Sequence, residues 1–269
     1  EGGYYSDWDP FAGSIELTPV EDVNPTKTQH VFIATVYDKK GVPLPSRRVE
    51  WMIPPPSVGT FVEVDASGFS ESRGHKIDNT HAVSHTNLGP HTLTRGNDDP
   101  SDDVVLKRGQ TWAVITSPVE GITHVIAYAP GIYDWNKHKA FAKKYWIDAN
   151  FTLSPPAVNP IGTTHKFVVK VARADGTPIP DADVAFKIVS GPAAKFANDK
   201  TAQTVKSDKN GEASVVLSQV KPVAGVNKIQ ATVRIAAPSF AGGKGRIPLG
   251  VALSSKKWVA PDIAITKSA

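Results

Sequence analysis

The chain has 269 residues, more than one ordinary β-domain needs and enough for two. Hydrophobic residues at 40% and charged residues at 21% exclude a disordered chain, and no window reaches the roughly 18 apolar residues of a membrane-spanning helix. The absence of cysteine excludes disulfides, thiol catalysis and cysteine-held zinc.

The formal net charge of +4 hides an asymmetry. Residues 1–149 hold 14 Lys/Arg and 19 Asp/Glu, a net −5, whereas residues 150–269 hold 16 and 7, a net +9. The basic half has no arginine cluster, RNA-binding aromatic signature or helix-turn-helix pattern, so its lysines read as solvated strand faces and no nucleic acid is expected. Twenty-two Pro and 21 Gly against one Met indicate many short strands joined by turns. The first residue is Glu1, with neither an initiator Met nor a signal peptide, and is read as the start of a processed protein or of a piece of a longer one.

An N-terminal arm, residues 1–11, carries Tyr4, Tyr5, Trp8 and Phe11. The segment 30–37, HVFIATVY, then alternates in period two, as a half-buried strand does. KKGVPLP follows as a turn, and RRVEWMI places Val49, Trp51 and Ile53 on one face. Strands are expected again over GQTWAVIT (109–116) and THVIAYA (123–129). Helix is nearly absent: the one candidate, Tyr133–Tyr145, enters through Pro130-Gly131 and suits a long hairpin loop better.

The same order then recurs. Asn24–Ile53 aligns without gaps onto Asn159–Ile188, with 11 of 30 positions identical, among them Asn24/Asn159, His30/His165, Gly41/Gly176, Pro43/Pro178 and Pro45/Pro180. GQTWAVIT faces GEASVVLS (211–218), and KYWID (144–148) faces KKWVA (256–260). One domain has been duplicated. The first copy runs over 12–149 and the second over 150–259, with 260–269 as a linker or the start of a further repeat. Several short strands per copy, spaced by such turns, predict an all-β chain of two tandem immunoglobulin-like sandwiches. Trp146 and Trp258 occupy matching places near the repeat ends, which points to packing or to seating one repeat on the next.

The first copy also carries a long loop insertion, about 54–108, some thirty residues longer than its counterpart. It holds His75, His81, His85 and His91, half of the eight histidines, and an acidic run with Asp98, Asp99, Asp102 and Asp103. Imidazole with carboxylate suits zinc, and an Asp-rich turn suits calcium. Candidate metal ligands are therefore His81, His85, Asp98, Asp99, Asp102 and Asp103, with calcium the possible cofactor. His81 and His85 could share a helix face, but neither HExxH nor the spacing of an EF-hand loop is present. No GxSxG elbow, phosphate-binding loop or dinucleotide fingerprint occurs, so no enzyme is expected. Tyr133, Trp135 and His138 form a second candidate site, for a ligand or partner, because exposed aromatic faces take the apolar C–H side of sugar rings.

Gly176, Pro178, Pro180 and Val184, then Asp208, Asn210, Gly211, Ala213 and Val215, then Ala231–Val233, resemble the bacterial immunoglobulin-like domains of invasin- and intimin-type surface proteins. The first copy departs from that pattern at Leu106–Gly109, where LKRG stands for DKNG. The Trp135-Asn136-Lys137-His138-Lys139 motif, the Trp112–Val125 stretch and the PDIAITKSA tail are similar to the region preceding conserved-repeat arrays in planctomycete-type surface proteins. The resemblance implies an extracellular or cell-surface location and a structural or adhesive role. Expected partners are other copies of the chain, neighbouring repeats, or cell-wall and extracellular polysaccharide, without membrane insertion.

Overall fold

The structure, a computed structural model, describes residues 8–68, 70–94 and 103–260. The chain divides into two compact units, Glu1–Ile147 and Asp148–Ala269. Among the described residues every regular element is a strand, apart from two short 3-10 turns.

The first unit contains β1 (Ala12–Thr18), β2 (Glu21–Pro25), β3 (Gln29–Asp38), β4 (Arg48–Met52), β5 (Thr60–Val64), β6 (His75–Lys76), β7 (His81–His85), β8 (His91–Leu93), β9 (Val104–Leu106), β10 (Gln110–Thr116), β11 (Gly121–Tyr128) and β12 (Lys139–Ile147). One sheet runs β1-β3-β10-β5, the facing sheet runs β2-β12-β11-β4-β7-β6, and β8-β9 form a separate hairpin. The second unit contains β13 (Asn150–Leu153), β14 (Ala157–Pro160), β15 (Thr164–Ala172), β16 (Asp183–Ser190), β17 (Ala194–Phe196), β18 (Ala202–Lys206), β19 (Glu212–Gln219), β20 (Gly225–Ala236) and β21 (Arg246–Val259). Its sheets, β13-β15-β19-β17 and β14-β21-β20-β16-β18, repeat the order of the first unit strand for strand, with β6 and the hairpin as the additions. These are immunoglobulin-like sandwiches.

Alternation in the sequence becomes alternation in burial. Phe32, Ala34 and Val36 of β3 are fully buried, as are Phe167, Val169 and Val171 at the matching places of β15. Each buried Phe or Val among them contributes about 1.5–3 kcal/mol through removal from water. Val49, Trp51 and Ile53 face the core together; Val184 and Phe186 do so in the second unit, whereas Ile188, next to a bulge, is only partly covered.

The shared G-x-P-x-P turn has a common physical cause. Gly41 and Gly176 take φ of 82° and 88°, a left-handed conformation that glycine adopts without a Cβ penalty. The chain then doubles back so that Leu44 N–H donates to Val36 O and Ile179 N–H to Val171 O, while Val36 N–H donates to Gly109 O and Val171 N–H to Gly211 O. A Cβ on Gly109 would lie 2.5 Å from Pro43 Cβ, and one on Gly211 would lie 2.2 Å from Val171 O. LKRG and DKNG therefore end on a glycine for the same steric reason, despite their different first residues.

The 54–108 segment is built mostly into the sandwich rather than left as free loop. It supplies β5 and β7 as counterparts of β17 and β18, and it adds β6, β8 and β9. A second apolar cluster of Leu106, Trp112 and Val114 packs with Leu93, Val31, Ile33 and Val62 on the outer face of the first sheet. Hence β10 is buried on both faces. A polar network ties the segment to the main core: Trp51 Nε1–H donates to Ser84 Oγ (2.8 Å), Thr111 Oγ1 lies 2.7 Å from Ser84 Oγ, and Asn87 Nδ2–H donates to Asp65 Oδ2 (2.9 Å). All four polar side chains are buried, and each finds a partner within the network.

The Tyr133–Tyr145 segment is a loop followed by strand: turns occupy its first half, and β12 starts at Lys139. No helix among the described residues is long and apolar enough to cross a membrane.

Candidate functional site

The loop between β11 and β12 is a tight, internally bonded turn. Ile132 N–H donates to Ala129 O (3.1 Å), Lys137 N–H to Asp134 O (2.9 Å) and Asn136 N–H to Asp134 Oδ1 (3.0 Å). At its base Ala129 N–H donates to His138 O, and Asp9 N–H to Gly131 O, each at 2.9 Å. These bonds hold Tyr133 and Trp135 outward at 80% and 68% exposure while His138 is buried beneath them at 4%. The imidazole meets the Trp135 ring edge-on at 4.6 Å and the Tyr128 ring at 5.2 Å. Lys139 Nζ stands 5.4 Å from the Tyr128 centroid and 5.9 Å from that of Trp135. Burial, reinforced by the Lys139 charge and opposed by Asp134, holds the His138 pKa below its ordinary value. The imidazole is thus a neutral support for the aromatic rings. Together with Trp8 they border a cleft of about 610 Å³. Tyr133, Trp135 and His138, picked from the sequence as one site, stand together here with Lys139 of the same segment; Trp8 and Tyr128 join them only through the fold.

A second cleft, about 560 Å³, adjoins the first and shares Pro130 and Ile132 with it. Arg47, Arg48, His75 and His85 line its polar side. Arg47 is held by Asp9, and Arg48 Nη2–H donates to Glu50 Oε1 at 2.9 Å. Burial, with the Arg48 and His75 charges, pushes the His85 pKa down against the hydrogen bond its ring donates to the Ser72 backbone.

His81 and His85 lie at opposite ends of β7, not on a helix. Four residues of strand separate their backbones by about 13 Å, too far to share one ion. His81 Nε2 instead lies 3.6 Å from Glu50 Oε2. Asp98, Asp99 and Asp102 fall outside the described residues, and Asp103 stands just before β9, partly buried. Among the described residues no group of three or more His, Asp or Glu side chains is gathered as a metal site would require.

One constellation is invisible as a site in the sequence, although Asn24, His30 and Lys144 fall in the repeated segments. Lys144 of β12 is completely buried. Its Nζ donates to Asp22 Oδ2 at 2.5 Å and Asn24 Oδ1 at 2.6 Å, and lies 3.0 Å from His30 Nδ1. The second unit repeats the arrangement: Lys256, also fully buried, donates to Asn159 Oδ1 at 2.5 Å, near His165 and Trp258. Trp146 and Trp258 are buried in their own sandwiches, where their Nε1–H groups donate to Thr123 Oγ1 and Asn227 Oδ1, each at 2.8 Å. Their role is packing. The signal in the sequence was the pairing of N-P-x-x-T-x-H with K-x-W in both halves.

No family model matches the sequence, and no curated protein is similar to it. Solved structures with a similar course include domains 5–6 of the S-layer protein SbsC, at 11% identity and a TM-score of 0.29, covering 94% of this chain and 100% of that one. Invasin, a bacterial integrin-binding protein, matches at 12% identity and TM-score 0.30 over 92% of this chain and 39% of its own. InvD of Yersinia pseudotuberculosis matches at 13% identity and TM-score 0.26, covering 95% and 60%. At these scores the likenesses carry neither family nor function.

Proposed function

We propose that the chain is a non-catalytic structural and adhesive module of a bacterial cell-surface or extracellular protein, acting as a spacer or self-assembly subunit. The observation that carries this reading is one sandwich built twice with opposite charge. Residues 1–147 hold 14 Lys/Arg against 18 Asp/Glu, and residues 148–269 hold 16 against 8. An acidic unit of one molecule and a basic unit of the next attract, and such unlike contacts generate fibres or rings rather than closed pairs. Changing the exposed Lys170, Lys187, Lys209 and Lys228 to Glu neutralises the second unit. In sedimentation experiments the variant should lose the self-association of the unaltered chain; unchanged association would refute the charge-driven contact.

The aromatic cleft favours a second reading, a carbohydrate-binding module. Two well-exposed rings, stiffened by a bonded turn and backed by a buried imidazole, suit the apolar face of a sugar with little ordering cost on binding. Glycan-array binding that vanishes in Trp135→Ala, with the melting temperature unchanged, would support it. Equal binding by the variant would exclude the cleft.

A further inference from the structure

The buried lysine of the first unit is placed for chemistry as well as for structure. β2 and β12 run parallel, with Lys144 opposite Asp22 and Trp146 opposite Asn24. Asp22 and Asn24, two residues apart on one strand, therefore present their side chains to the same face. An amine, a carboxamide and a carboxylate meet there, with Nζ 2.6 Å from Asn24 Oδ1 and 2.5 Å from Asp22 Oδ2. Asn24 Nδ2–H groups donate to Thr28 Oγ1 (3.1 Å) and Gln29 O (3.3 Å), which fixes the amide so that its carbonyl faces the lysine.

We propose that the first unit matures by an autocatalytic amide cross-link between Lys144 Nζ and Asn24 Cγ, with Asp22 relaying protons and ammonia leaving. Lys144 first passes a proton to the Asp22 carboxylate along their hydrogen bond. The free amine attacks Cγ; the new C–N bond forms as the carbonyl pair moves onto Oδ1. Asp22 returns its proton to Nδ2 and collects the second proton from Nζ, and collapse of the tetrahedral carbon breaks the Cγ–Nδ2 bond. Nδ2 departs as ammonia, which takes up that second proton as ammonium, and Asp22 is again a carboxylate. No further reactant is needed.

Each requirement has a physical source. A nucleophilic amine must be deprotonated, and burial draws the Lys144 pKa down to about 8 against the opposing pull of Asp22. Attack must be intramolecular and aligned, and two hydrogen-bonded strands hold both groups in register, the condition under which effective concentrations become very large. The relay must sit within hydrogen-bond reach of the amine, as Asp22 does. The second unit supplies a control within the same molecule. Lys256 and Asn159 stand in the same register, but Ala157 occupies the place of Asp22. It has the amine and the amide without the relay and should remain unlinked.

Intact-mass measurement of the denatured full chain tests this directly. The expected mass is lower than that of the sequence by one ammonia. Peptide mapping should find a branched peptide joining Lys144 to the Asn24 segment, which separates the cross-link from loss of ammonia by ring closure at Asn210-Gly211. Asp22→Ala, which copies the second unit, should fold and keep the unmodified mass. Ala157→Asp should lose a second ammonia, through a Lys256–Asn159 link. An unmodified mass in the unaltered chain after prolonged incubation at neutral pH would overturn the proposal. A cross-link that persists in Asp22→Ala would overturn the relay.

Discussion

His138 shows how a buried residue can support exposed aromatic rings from beneath. Buried beneath Trp135 and beside Tyr128, it is held neutral by desolvation and by Lys139. The unfolded chain takes up the proton at the ordinary imidazole value of about 6.5, whereas the folded site resists it until lower pH. Its contribution to stability is therefore complete above the unfolded value and is lost as pH falls from there toward the folded value. His85 follows the same sign, and so does His165 in the second unit. Thermal melts should show the first unit weakening as pH falls below about 6.5, and His138→Phe should flatten part of that slope. A slope unchanged by the substitution would mean that the imidazole titrates as it does in solvent. Trp51, fully buried and bonded to Ser84, should cost about 3–5 kcal/mol when cut to Ala, measured by urea denaturation. Alternation in RRVEWMI was enough to place Trp51 in the core. It did not distinguish Trp112, which is also buried but faces outward into the second apolar cluster. Period two separates two faces and is silent on which of them a distant hairpin covers.

At the scale of elements, glycine positions make the sharpest contrast. Gly211 and Gly176 both take left-handed φ, 74° and 88°. An added Cβ meets Val171 O at 2.2 Å in the first case and nothing within 4 Å in the second. Gly176→Ala should cost about 1–2 kcal/mol from backbone conformation alone, and Gly211→Ala clearly more, since the turn must also open. Denaturation midpoints that fall equally would contradict the packing account of the repeated turn. Strands β3, β4, β15 and β16 were legible because their apolar positions alternate and a Gly-Pro turn separates them. The insertion read as loop because Thr, Ser, Asn and His dominate it. Its strands hold through ladder partners and the Asp65–Asn87–Thr111–Ser84 network, in which polar side chains satisfy each other in the interior. Long-range pairing of that kind leaves no periodic trace. His81 and His85, which could have shared a helix face, lie instead on β7, a strand recruited by β4 some thirty residues earlier in the chain.

The whole molecule carries one design twice, and duplication was the most legible feature because identical residues fall at the turns and buried positions that define the sandwich. The charge difference between the copies was equally legible, since it needs only counting. The aromatic cleft was half visible: the Tyr133–His138 segment stood out, whereas Trp8 and Tyr128 reach it only through folding. The Lys–Asn–Asp constellation was hidden because its members are 120 residues apart in sequence and join only through the parallel β2–β12 ladder.

The central claim, that opposite charge on duplicated sandwiches drives assembly of copies, is tested most directly by light scattering of the full chain across protein concentration, at low and at high ionic strength. Exposed charges are screened beyond about 8 Å at physiological salt. Particles should grow with concentration at low salt and shrink toward single chains as salt is raised. A single species of 28.8 kDa at every concentration and salt would contradict it.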